Sequence, residues 1–265
     1  MLHRSVGLSH RPPGSVRTTP SPAVLAAWRS ADAVCFDVDS TFCVDESIDE
    51  IAAFLGKGPA VAALTRRAMG EGLDFRTALE RRLALMAPSR ADLDAFLAAH
   101  PPRLSPGIPE LVARIQGRGA EVWLVSGGFR EVIGGPRGVA AAAGVPPDRV
   151  FANRLRFDPA TGAYAGFDPD EPTSRSGGKA DAARAVAAAV AARRGGGLRP
   201  ADVVVVAVGD GATDLEARAP GAAAAVVGYG GVAAREAVAR GADWFVSDFG
   251  PLLAALDDDG GGGGA

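Results

Sequence analysis

The chain is expected to fold as an α/β protein: a Rossmann-like parallel-sheet core with an inserted helical cap and a small β-hairpin insertion. Three observations predict it. Short apolar runs end in carboxylates or Gly-rich clusters. Helical patterns separate several of those runs, and such alternation builds a parallel sheet with helices on both faces. Residues 46–103 break the alternation with helical periodicity alone.

The first strand is read from Ala31 to Val38, an apolar run closing on Asp37. Helical patterns follow at 48–55, 60–68, 75–86 and 92–99, ended by Pro101-Pro102 and Ser105-Pro106. They form the predicted cap, 46–103, between core segments 27–45 and 104–256. Glu121 to Val125 is the second strand, with Ser126-Gly127-Gly128 opening a helix beyond it. Asp158-Pro159-Ala160-Thr161-Gly162 between apolar stretches predicts a hairpin over 155–167. Residues 202–208, 222–227 and 244–246 complete the strands, with helices at 108–116, 179–193 and 232–240. In such sheets ligands bind beyond the carboxyl ends of the strands, where the polar clusters fall.

Composition excludes several classes. The 265 residues are 48% hydrophobic with a net charge of −3, and no basic patch points to nucleic acid. No apolar run approaches the ~18 residues of a membrane span. Cys35 and Cys43 are too far apart for a CxxC motif; Cys35 reads as core packing, which favours a reducing compartment. Residues 1–26 and 257–265 are read as tails. The first 31 residues lack Asp and Glu but carry Arg4, Arg11, Arg17, Arg29 and several Ser and Thr. That is transit-peptide-like and favours a plastid over the alternatives, a merely disordered tail and the cytoplasm. Prolines 12, 13, 20 and 22 argue against a helix there.

The chemistry begins with Asp37-Val38-Asp39-Ser40-Thr41. Carboxylates at i and i+2 leave a strand on one face. One can attack phosphorus as nucleophile while the other protonates the leaving alkoxide and then deprotonates water. Gly209-Asp210-Gly211-Ala212-Thr213-Asp214 brings more carboxylates to another strand end. Asp37 and Asp210, with the Asp39 carbonyl, match the oxygen ligands magnesium requires. Ser126 and the N–H groups of a Gly-rich turn suit an anion, and Lys179 supplies a fixed cation beside it. Each motif alone also fits a turn, a helix cap or a solvated lysine.

In this order the motifs resemble the haloacid-dehalogenase-like superfamily. Thr65 to Gly70, Leu85 to Arg90, Val150 to Arg154 and Tyr164 to Phe167 extend the likeness to the phosphoserine phosphatases over residues 27–256. The resemblance implies a haloacid-dehalogenase-like fold and magnesium-dependent hydrolysis of O-phospho-L-serine, the last step of phosphorylated serine biosynthesis. It implies Asp37 as nucleophile and Asp39 as general acid/base. Asp37, the Asp39 carbonyl and Asp210 would be metal ligands, with Asp214 supporting them. Ser126, Gly127 and Lys179 would bind phosphate, and Thr213 would line the pocket. Glu46 and Arg82 would select the substrate ammonium and carboxylate. Met69, Gly70 and Phe75 would shape the cap side, with Arg76 and Arg81 as rival registers for Arg82. The partner is a small molecule, with no nucleic acid or membrane, and the protein a monomer or homodimer. Transfer to an alcohol such as homoserine, hydrolysis of another small monoester and a degenerate binding protein are the rivals. Gly134 to Gly138 interrupts the expected helix, and Gly195-Gly196-Gly197 lengthens a loop away from the site.

Overall fold

A computed structural model describes residues 16, 18–71 and 74–257, leaving aside the side chains of residues 68–71. The tail readings at 1–15 and 258–265 lie outside the described residues. The core sheet has the order β3-β2-β1-β6-β7-β8. Its strands are β1 (Ala33–Phe36), β2 (Glu121–Phe129), β3 (Val150–Asn153), β6 (Val205–Gly209), β7 (Ala225–Tyr229) and β8 (Trp244–Val246). All neighbours are parallel. The hairpin β4 (Leu155–Phe157) and β5 (Tyr164–Phe167) is antiparallel. Strand β3 is absent from the sequence reading. It is only four residues long and runs directly into the hairpin, so no helix sets it off.

Strand pleat divides the core in two. Val34, Phe36, Val122, Leu124, Val206 and Val208 pack on one face against Ile108, Leu111, Phe249 and Leu252. Ala33, Cys35, Trp123, Val125 and Val205 pack on the other against the Ala-rich helix Gly178–Arg194. Alternate residues of a strand point to opposite faces, so a sheet covered on both sides reads as a continuous apolar run. Cys35 and Cys43 are both buried and free.

Helices Ser47–Phe54, Gly58–Glu71, Phe75–Met86 and Arg90–Ala99 follow β1. They share a separate apolar cluster built on Ile51, Leu79, Leu83, Leu93 and Phe96. Two punctuation signals shape this segment. Asp74 caps the third helix, its side chain accepting from the Thr77 N–H, and Ser89 with Asp92 forms a capping box on the fourth.

Three expectations are corrected. A helix occupies Pro22–Arg29, beginning inside the stretch 1–26 read as tail and ending in the core segment; Pro22 sits in its first turn, where a missing N–H costs nothing, and Ser21 caps it. Trp28 is buried there, donating from Nε1 to the Leu252 carbonyl. Ser126, Gly127 and Gly128 continue β2 rather than opening a helix, with a register shift against β3 between Val125 and Phe129. The helix expected over 232–240 is shorter, Glu236–Gly241. The interruption at Gly134 to Gly138 separates two four-residue helices, Arg130–Ile133 and Val139–Ala142. A Cβ on Gly138 would stand 2.4 Å from the Val132 carbonyl oxygen, so the chain passes too close there for any side chain. No described helix is long and apolar enough to cross a membrane.

Candidate active site

Register brings the site together. Phe36 of β1 pairs with Leu124 of β2 and with Val208 of β6. The next residues along these adjacent strands, Asp37, Val125-Ser126 and Gly209-Asp210, therefore emerge at one edge. A cavity of about 190 Å³ opens there. Asp37, Asp39, Glu46, Phe75, Arg82, Gly127, Lys179, Asp210 and Thr213 all line it, as do Thr173, Arg175, Glu216 and Arg235. A larger apolar hollow of about 280 Å³ lies behind the loop after β1, among Phe96, Pro101, Val132 and Val139. It includes neither Lys179 nor Asp210, so the chemistry belongs to the smaller cavity.

The loop after β1 is wound tightly. The Phe42 and Cys43 N–H groups donate back to the Asp37 and Val38 carbonyls. Ser40 adopts φ +54°, a left-handed conformation that is costly for a residue with a side chain. It is held by its N–H on the Asp45 carbonyl at 3.1 Å and its Oγ on Glu46 Oε1 at 2.7 Å. Asp37 is anchored by its own N–H on the Val208 carbonyl, and its Oδ1 accepts from the Val38 N–H. Thr41 Oγ1 donates to Asp210 Oδ1 at 3.1 Å, tying this loop to the end of β6.

Charge is concentrated at the floor. Carboxylate oxygens of Asp37, Asp210 and Asp214 lie within 4.8 Å of one another. Lys179 Nζ bridges Asp37 Oδ2 at 2.9 Å and Asp214 Oδ1 at 2.6 Å. Burial alone would lower the Lys179 ammonium, but the Asp214 and Asp37 charges outweigh it and raise it. Burial pushes Asp214 up, seconded by Asp37, while Lys179 opposes it; its Oδ2 also accepts from the Gly211 N–H. The two carboxylates at 2.9 and 2.6 Å hold Lys179 in its charged form.

Asp39 is pushed up to about 7 by burial first and by the Asp37 charge second. Ser47 opposes this by donating from N–H and Oγ to its two oxygens, both at 3.0 Å. A carboxyl raised to about 7 suits an acid that must give and retake a proton.

The residues fit a hard divalent cation. Asp210 Oδ2 is buried and accepts no hydrogen bond, although Arg235 Nη1 stands 3.1 Å away. Asp214 has both oxygens engaged, so within the cluster Asp210 keeps the lone pair to spare. An all-oxygen donor set favours magnesium-like ions over zinc or copper.

Ser126 Oγ accepts from the Gly128 N–H at 2.9 Å. Asn153 Nδ2 holds the Gly127 carbonyl at 2.8 Å. Arg82 is half-buried and donates from Nε to the Ala78 carbonyl. Met69 and Gly70 fall in the helix Gly58–Glu71, but their side chains lie outside the described residues. Sequence reasoning missed Ser47, Asn153, Thr173, Glu216 and Arg235. Thr173, Glu216 and Arg235 line the cavity, while Ser47 and Asn153 brace it through Asp39 and Gly127; each is a single polar residue outside the motifs, and the fold assembles them. Of these, Ser47 could have been found, being the first residue of the helix after the Asp39 loop.

This arrangement defines a phosphoryl-transfer site: two unlike carboxyls on one strand end, a bridging ammonium and a Gly-rich strand end. A family model for haloacid dehalogenase-like hydrolases matches residues 34–218. The chain is similar to the chloroplastic phosphoserine phosphatase of Arabidopsis thaliana, 49% identical over 238 residues, or 90% of this chain and 76% of the relative. It is similar in structure to the DsGPDH of Dunaliella salina, with TM-score 0.73 and 36% identity; the match takes in 90% of this chain but spans only 38% of that one. It is also similar to a phospho-aspartyl intermediate analogue of phosphoserine phosphatase, with TM-score 0.64 and 26% identity over 86% of this chain and 99% of that one. The chain belongs to the phosphoserine phosphatase family of haloacid dehalogenase-like hydrolases.

A Cβ on Gly209 would meet the Asp214 carboxyl carbon at 2.1 Å. Gly209→Ala is therefore expected to displace Asp214 and, with it, Lys179. We expect phosphatase kcat/KM to fall about 100-fold while the far-UV circular dichroism stays native. Wild-type rates in this variant would show that Asp214 need not stay where it is.

Proposed function

We propose that the chain hydrolyses O-phospho-L-serine to L-serine and inorganic phosphate through an aspartyl-phosphate on Asp37. The observation that supports it most is the Lys179 bridge, which holds the Asp37 carboxylate at the cavity floor with Asp39 protonatable beside it. In the first step an Asp37 oxygen bonds to phosphorus and the bond to the serine oxygen breaks. Asp39 gives that oxygen its proton. In the second, water attacks phosphorus, Asp39 takes the water proton, and the acyl-phosphate bond breaks to restore Asp37.

Lys179 neutralises charge on the phosphoryl group, with Ser126 and Gly127 as further phosphate donors. Asp37, the Asp39 carbonyl and Asp210 would hold magnesium, with Asp214 supporting them. When bound, the metal supplies charge neutralisation and alignment of phosphate against the nucleophile. Glu46 suits the substrate ammonium, and the Arg82 guanidinium its carboxylate. Both reach this cavity from the segment following β1, residues 46–103, which we read as a cap that closes over the substrate. Thr213 lines the wall. The names of the Arabidopsis relative and of the solved phosphoserine phosphatase fit this substrate.

Two tests follow. Purified protein is expected to release phosphate from O-phospho-L-serine far faster than from other small monoesters, only with magnesium, and without phosphorylating added homoserine; Asp37→Asn should abolish release. Equal rates on all monoesters would remove the substrate assignment, and an active Asp37→Asn variant the nucleophile. The acid-poor, Arg- and Ser-rich residues 1–31 favour plastid delivery. Fused to a fluorescent reporter they should direct it into chloroplasts, and a reporter left in the cytosol would contradict that.

A further inference from the structure

Arg76 has no part in the chemistry above, and in the sequence it is a rival register for Arg82. The structure gives it a task of its own. It lies in the first turn of the helix Phe75–Met86, half-buried. Its Nη2 donates to the Pro169 carbonyl at 2.9 Å and to Ser174 Oγ at 3.1 Å. Ser174 is fully buried and donates to the same Pro169 carbonyl at 3.2 Å, so three polar groups close on one another. This node joins the helical segment to the core loop that leads through Thr173 to Lys179.

Its neighbour Phe75 presses on the same region. A Cβ on Gly127 would stand 3.1 Å from Phe75 Cζ, so the ring rests on the bare Gly127 backbone. Gly127 is in turn held by Asn153, whose Oδ1 meets Thr173 Oγ1 at 3.4 Å. The helix N-terminus is thus pinned to both sides of the phosphate end of the cavity. Arg82 lies seven residues after Phe75, two turns on and about 10 Å along the axis. Both line the cavity, as that spacing requires.

We propose that Arg76 is a positioning residue: its hydrogen bonds to Pro169 and Ser174 set the register of the helix that carries Arg82, and so fix the distance between the substrate-carboxylate and phosphate ends of the site. A helix is stiff over two turns, so a tilt at its first turn is carried to Arg82. Misplacement by about 1 Å can cost 100-fold in rate. The proposal rests on the reading of Arg82 as the carboxylate contact.

The test measures kcat and KM on O-phospho-L-serine and on p-nitrophenyl phosphate, which has no carboxylate. Wild type, Arg76→Met, Arg76→Lys, Arg82→Met and the Arg76→Met/Arg82→Met double variant are compared with magnesium present. Arg76→Met is expected to lose about tenfold on phosphoserine, chiefly in KM, and to stay within about twofold on the aryl ester. Arg76→Lys keeps one donor to the node and should recover most of the loss. The double variant should be no worse than Arg82→Met alone, because Arg76 acts through Arg82. Equal losses on both substrates, or losses that add in the double variant, would overturn the role of Arg76. A wild type without preference for phosphoserine would overturn the substrate reading and this proposal together.

Discussion

Three carboxyls gathered within 4.8 Å govern this molecule. Two unit charges of one sign 4 Å apart repel by about 4 kcal/mol at an effective dielectric constant of about 20, so such a cluster persists only if cations are built in. Lys179 answers Asp37 and Asp214, and Arg235 stands against Asp210 and Glu46. The rest of the site follows from this balance. Asp39, half-buried beside the Asp37 charge, is pushed towards the protonated form.

The fold supplies the gathering. Adjacent parallel strands β2, β1 and β6 run in register up to Leu124, Phe36 and Val208, so side chains far apart in sequence meet just beyond that level without long loops. Small residues then let the backbone close in. Gly209 leaves room for the Asp214 carboxyl, and Gly127 lets Phe75 rest on the phosphate end. The tight loop after β1 completes the frame, with Ser40 strained into a left-handed turn that orients both aspartates.

Much of this was legible in the sequence, for reasons of period and proximity. The β1, β2 and β6 runs were visible because a strand buried on both faces is apolar throughout, and the carboxylates ending β1 and β6 and the Ser-Gly-Gly cluster after the β2 run marked the site edge. The helix Phe75–Met86 was placed to the residue by its apolar spacing alone. The helix at Pro22–Arg29 was not, because proline was read as a breaker where it serves as a first-turn residue. Strand β3 was too short to show a period. Arg235 was invisible for a different reason: it is one exposed-looking arginine beyond β7, and only tertiary packing brings its guanidinium 3.1 Å from Asp210. Asn153 likewise acts through contacts that no local pattern records.

The most direct test of the account is to follow the phosphoryl group itself. Protein mixed with phosphate-labelled O-phospho-L-serine and magnesium, quenched in acid within milliseconds and digested, should yield one labelled peptide carrying an acyl phosphate on Asp37. Label on another residue, or turnover with no labelled protein at any quench time, would contradict a covalent mechanism centred on the Asp37–Lys179 pair.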